Sequence, residues 1–143
     1  MIRTDDQIND ITEGVIGCAI EVHRTLGPGL LESVYRECLM IELVENRFAV
    51  ERERCVPIEY KGRPIRSALK VDVLVSGILV VELKAVEALH PIHSAQVITY
   101  LKLTGCPAGL LMNFNATTLR AGLRRLDHPD RYLKKQELRR PGD

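Results

Sequence analysis

The chain contains no tryptophan, and aromatic residues make up only 4% of it. Stacking of unpaired bases on a platform of rings is therefore not a prominent option, and any contact with nucleic acid would rest mainly on phosphates. No stretch approaches the roughly 20 apolar residues that a membrane helix needs. The N-terminal MIRTDDQIND lacks the apolar core of a secretory signal. A cytoplasmic protein with no membrane role is the default expectation. None of the four cysteines, Cys18, Cys38, Cys55 and Cys106, forms a C-x-x-C pair. Zinc or iron–sulfur ligation is thereby disfavoured, and buried reduced thiols are the better reading. There is no G-x-G-x-x-G, no Walker loop and no G-x-S-x-G, so nucleotide-fold and serine-hydrolase readings lack support. Net charge is only +1, which gives no global electrostatic case for a polyanion partner.

What is present is an ordinary globular composition. The 143 residues are 45% hydrophobic and 27% charged, enough for one domain with one core. Charge is unevenly spread. Residues 1–118 carry 12 basic and 15 acidic residues, net −3, whereas residues 119–143 carry 8 basic and 4 acidic, net +4. The expected organisation is a single domain over 1–126 followed by a basic tail over 127–143, which is either a solvated terminus or a phosphate contact.

Thr4 and Gln7 have capping-box spacing, with Asp5 and Asp6 in the first turn, so a helix is expected from Asp5 to about Leu26. Ile8, Ile11, Val15, Ala19, Val22 and Leu26 give it an apolar stripe. Gly27-Pro28-Gly29 breaks the chain. A second helix is expected from about Leu31 to Asn46, burying Val34, Cys38, Leu39 and Ile41. Residues 48–60 read as one long strand with an exposed middle, and Pro57 marks an edge or a bulge. Lys61-Gly62 is a turn, followed by a short strand or loop to Ser67. Residues 71–87 read as an apolar hairpin. A third helix spans about 90–105, with Pro91 in its first turn and Gly105 at its end. Residues 108–114 suit a buried strand, and 117–126 suit either a last helix or a short strand with a turn. The order α-α-β-β-β-α-β implies an α/β sandwich around a mixed sheet.

The hairpin, VDVLVSGILVVELKAVE, holds Asp72, Glu82 and Lys84 among valines and leucines. An ionised carboxylate in such a strand is costly unless it is paired or binds metal. Side chains alternate faces, so Glu82 and Lys84 share one. Asp72 joins them only if it lies opposite Glu82, which centres the turn on Gly77 and requires an odd-numbered loop or a bulge. A two-residue Ser76-Gly77 loop would pair Asp72 with Val81 instead. In the first register the two carboxylates converge, and Mg²⁺ or Mn²⁺ would relieve their repulsion. Lys84 beside such an ion could orient or deprotonate a water, or stabilise phosphoryl charge. The plainer alternative is a salt bridge on a solvent-facing strand. Two further clusters bear on the choice. Glu32 and Tyr35 lie at i, i+3 after the glycine turn, and His93, Gln96 and Tyr100 share a face of the third helix. Three polar clusters embedded in apolar sequence could assemble a metal-dependent phosphodiester site.

Gly29-x-x-Glu32-x-x-Tyr35, together with VDVLV, VELKAVE, AQVITYLKLTG and GLLMNFN, resembles the GxxExxY proteins of the PD-(D/E)xK nuclease superfamily over about Ile8 to Leu126. That resemblance implies a restriction-endonuclease-like core, a mixed central β-sheet flanked by α-helices. It implies that Asp72 and Glu82 hold Mg²⁺, with Mn²⁺ as a substitute. The Leu83 carbonyl and Glu32 would be further ligands, and Lys84 the catalytic lysine. Glu32 would match the helix glutamate of RecB-like members, and Gln96 and Tyr100 their Q-x-x-x-Y motif. Val71 stands where the motif has proline. The cysteines of iron–sulfur relatives are missing, so no cluster is expected. The implied activity is phosphodiester hydrolysis on nucleic acid, DNA favoured over RNA. The alternative is a catalytically silent accessory module of the same fold. Phosphate contact is expected from Lys70, Lys102, Arg120, Arg124 and Arg125, with Tyr35 and His93 lining the approach. A homodimer or a partner protein would compensate for the small size.

Overall fold

The computed structural model describes residues 4–131. Helix α1 (Asp5–Leu26) starts at the expected capping box. The Gln7 amide donates to Thr4 Oγ1 at 3.2 Å, and the Thr4 amide donates to Gln7 Oε1 at 2.9 Å. Helix α2 (Glu32–Glu45) follows the glycine turn. Its buried residues are Tyr35, Leu39 and Leu43, at i, i+4 and i+8. This corrects the expected face: Val34 and Ile41 are exposed. The helix is turned about its axis because Tyr35, not Val34, is the residue inserted into the core.

Among the described residues, five strands form one sheet in chain order. β1 (Val50–Tyr60), β2 (Arg63–Val75) and β3 (Leu79–Lys84) pair antiparallel. Helix α3 (Pro91–Thr104) crosses over to β4 (Ala108–Asn113), which runs parallel to β3. β5 (Leu123–Asp127) returns antiparallel after a 3-10 turn at Arg120–Gly122. The sheet is therefore mixed and flanked by helices, as expected. One detail differs: residues 63–75 form one continuous strand. Of the two readings of 117–126, the structure has the short strand with a turn. β1 is an edge strand, and its register shifts between Val56 and Ile58, so Pro57 sits at an edge and at a bulge together.

Period two divides β3 between two cores. Leu79, Val81 and Leu83 pack with α1 and α2, alongside Val15, Val22, Tyr35, Leu39 and Phe114. Val80 packs on the other face with Leu74, Leu111 and the α3 residues Val97, Tyr100 and Leu101. Glu82 and Lys84 keep the parity of Val80 and so lie on the α3 side. Gly109 lets that helix come close: a Cβ there would stand 2.8 Å from Val97 Cγ1 and 3.4 Å from Leu101 Cδ2. Cys18 and Cys106 are buried, but Cys55 is exposed on β1, against the expectation of buried thiols throughout. No helix among the described residues is long and apolar enough to cross a membrane.

Candidate active site

The β2–β3 turn sets the site. Val73 pairs with Val81, Leu74 with Val80 and Val75 with Leu79. That leaves a three-residue loop, Ser76-Gly77-Ile78, closed by the Ile78 amide donating to the Val75 carbonyl at 3.0 Å. Ser76 and Gly77 adopt left-handed φ of 54° and 67°, a conformation that glycine takes without a side-chain penalty. The odd loop extends the register to Asp72 opposite Glu82, the arrangement that the shared-face argument requires.

At that level the carboxylates take over the strand pairing. The Asp72 amide donates to Glu82 Oε1 at 3.1 Å, and the Leu83 amide donates to Asp72 Oδ2 at 3.1 Å. On the other side, Glu53 of β1 has a φ of 48° between the pairs Arg52–Val73 and Arg54–Val71. A left-handed non-glycine residue is strained backbone, and it lies directly across from Asp72. Glu82 is 4% exposed. Burial first, and then the charge of Asp72, push its carboxyl up to about 8, partly offset by the Asp72 amide and by the Lys84 charge. Tyr100 of α3 is buried, and its hydroxyl accepts from Gln96 Nε2 at 3.1 Å. Burial raises the Tyr100 phenol, and the Glu82 and Asp72 charges raise it further, so the ring stands within their field. The structure thus gathers Asp72, Glu82, Lys84, Gln96 and Tyr100 into one cluster.

Glu32 reaches this group through a residue that the sequence reading passed over. Arg36 Nη2 lies 3.3 Å from Glu32 Oε1 and 3.4 Å from Asp72 Oδ1, and Arg36 Nη1 lies 3.9 Å from Glu53 Oε1. A signal was available, since Glu32 and Arg36 have the i, i+4 spacing of a helical ion pair. Asn113 at the end of β4 was also missed. Its Oδ1 accepts from the Val86 and Asn115 amides, and its Nδ2 donates to the Val86 carbonyl at 2.9 Å. It clamps the segment that follows Lys84, and its hint was a lone amide ending the apolar run GLLMN.

Other expected residues fall elsewhere. Tyr35 is fully buried and stacks on Phe114 with ring centroids 4.7 Å apart. Its hydroxyl donates to the Gly27 carbonyl at 2.6 Å and accepts from the Leu30 amide at 3.1 Å. Its expected nucleic-acid contact is therefore corrected to a structural role: Tyr35 pins the glycine turn and leaves no surface for a ligand. His93 caps α3, its Nδ1 accepting from the His90 amide at 3.0 Å. Lys70, Lys102 and Arg120 are exposed. Arg124 pairs with Leu111 and Arg125 with Leu110, so they point to opposite faces. Arg125 bonds Asn9 of α1 at 2.6 Å, on the side away from Asp72 and Glu82. The tail beyond Arg131 lies outside the described residues.

Among the described residues, no three His, Cys, Asp or Glu side chains form a metal cage. The donor chemistry of Asp72 and Glu82 nonetheless fits a hard divalent cation. Two carboxylates converge, and burial, together with the Asp72 charge, holds the Glu82 carboxyl well above its ordinary titration range.

An acid pair and a lysine, carried by a hairpin within a mixed α/β sheet, define a restriction-endonuclease-like protein. The chain belongs to the PD-(D/E)XK nuclease superfamily, whose family model matches residues 9–126. No curated protein and no solved structure matches it. Nucleases of this superfamily generally use divalent metals such as Mg²⁺, and membership implies a nucleic-acid partner.

Proposed function

We propose that the protein is a metal-dependent nuclease that hydrolyses phosphodiester bonds, with DNA the favoured substrate, and that it belongs to the GxxExxY group with a RecB-like motif set. The observation that carries this reading is the register that brings Asp72, Glu82 and Lys84 to one face. Asp72 and Glu82 would hold Mg²⁺ or Mn²⁺, with the Leu83 carbonyl and, directly or through water, Glu32. When bound, the ion would supply positive charge to a phosphoryl oxygen and to a water nucleophile. Lys84 orients or deprotonates that water, or stabilises charge on the phosphoryl group. Gln96 and Tyr100 act as a hydrogen-bonded pair that orients Lys84, the water or the scissile phosphate. Lys70, two residues along β2 from Asp72, and Lys102 of α3 would hold flanking phosphates, as would Arg120 and Arg124.

The test is cleavage of single- and double-stranded DNA and RNA with Mg²⁺, Mn²⁺ or EDTA, beside Lys84→Ala. Hydrolysis of DNA that stops with EDTA and in the variant is the expected result. Cleavage that ignores EDTA, or that survives Lys84→Ala, would sink the assignment.

A further inference from the structure

Arg36 is a cation already lodged beside two of the acids, Glu32 and Asp72, that the proposed function assigns to a metal. Its guanidinium faces three carboxylates, Glu32 at 3.3 Å, Asp72 at 3.4 Å and Glu53 at 3.9 Å. The side chain is only 17% exposed. Its place on α2 is fixed from the neighbouring position, because Tyr35 is anchored in the core and to the glycine turn. The pairing itself is loose. Well-formed guanidinium–carboxylate bonds run at about 2.7–2.9 Å, and each of these three is longer. Arg36 Nε is also buried without a hydrogen-bond partner among the described residues, so the group is held by charge and not by a full set of directed bonds. Such a cation can be exchanged.

We propose that Arg36 is a resident counter-cation which competes with the divalent metal for Asp72 and thereby sets metal affinity. The inference rests on the reading of Asp72 and Glu82 as metal-holding residues. In the metal-free protein Arg36 neutralises Asp72 and ties Glu32 to it. On loading, the guanidinium would release Asp72 and stay with Glu53. The strained backbone at Glu53 of β1 then has a use, since Glu53 is an acid within reach of the displaced group.

Calorimetric titration of MnCl₂ into the wild type, Arg36→Gln and Arg36→Lys at fixed ionic strength tests the proposal. Removing one unit of positive charge at this range should tighten binding by about tenfold in Arg36→Gln, while Arg36→Lys stays near the wild type. Equal or weaker binding by Arg36→Gln, with the wild type binding, overturns the proposal and leaves the metal site standing. No binding by either protein removes the site and the proposal together. A second measurement needs only the wild type: the Arg36 Nε–H resonance, followed as Mg²⁺ is added. It should shift in step with saturation, and a resonance unmoved at saturation overturns the exchange.

Discussion

Replacing Glu82 with glutamine should make the metal-free protein more stable, and increasingly so as pH rises. The glutamine keeps an oxygen to accept the Asp72 amide and removes the ionisable group. In the folded wild type, the Glu82 carboxyl titrates near 8, against 4.5 for an ordinary glutamate. A carboxyl raised on folding stabilises the native state when protonated. That stability is fully present below the unfolded pKa and is lost as pH climbs through the folded one. Between about pH 4.5 and 8 the native state binds one more proton than the unfolded chain, so wild-type stability falls by about 1.4 kcal/mol per pH unit from this group. Across the window that amounts to roughly 4–5 kcal/mol, a large share of the roughly 5–15 kcal/mol that holds a domain folded. With Glu82 almost wholly buried, solvent screening takes little from the figure. Urea denaturation of both proteins in EDTA, from pH 4.5 to 9, would measure it. The stability difference should start near zero and reach several kcal/mol in favour of glutamine by pH 8 to 9. A difference that is flat with pH, or a variant less stable than wild type at pH 8.5, would refute the reasoning.

Three further outcomes follow from the packing. Tyr35→Phe keeps the stack on Phe114 but leaves the Leu30 amide and the Gly27 carbonyl without their partner; a loss of about 1–3 kcal/mol in urea denaturation is expected. Gly109→Ala presses a methyl group against Val97, and should cost about 1–3 kcal/mol by the same assay. If α3 shifts to relieve that contact, the near-ultraviolet signal of Tyr100 should change with it. Asn113→Ala removes the clamp on Val86, and faster amide exchange at residues 85–87 is the expected readout, since the Val86 amide loses its acceptor.

Much of this fold was legible because the signals are local. The capping box at Thr4, the breaks at Gly27 and Gly105, and the alternation through residues 71–84 each act within a few residues. The register of the hairpin was legible as a choice, since Asp72 and Glu82 meet only across an odd loop or a bulge, and the structure has the three-residue loop. The face of α2 was not. Of the expected Val34, Cys38, Leu39 and Ile41, only Leu39 belongs to the fully buried stripe with Tyr35 and Leu43, and the choice was decided by contacts far along the chain, with Phe114 and the glycine turn. Residues 117–126 were ambiguous because an edge strand depends on its neighbour: LRRLD alternates only weakly, and its pairing with β4 decides the matter. Arg36 shows the same limit within the site. Its bond to Glu32 could be read from spacing, but its reach to Asp72 and Glu53 depends on how α2 lies over the sheet.

The exchange of amide bonds between Asp72, Glu82 and Leu83 has a practical consequence for anyone designing an inactive form. Two backbone donors in the middle of the sheet have carboxylates, and not carbonyls, as their acceptors. Alanine at either acid would therefore unstitch a seam between β2 and β3 while it removed a proposed metal ligand. Such a variant would confound a broken catalyst with a loosened sheet. Lys84 is different, since it enters the cluster through its charge while the backbone around it pairs normally with β4. Lys84→Ala is therefore the variant that tests the proposed chemistry while the backbone pairing of β3 with β4 stays in place.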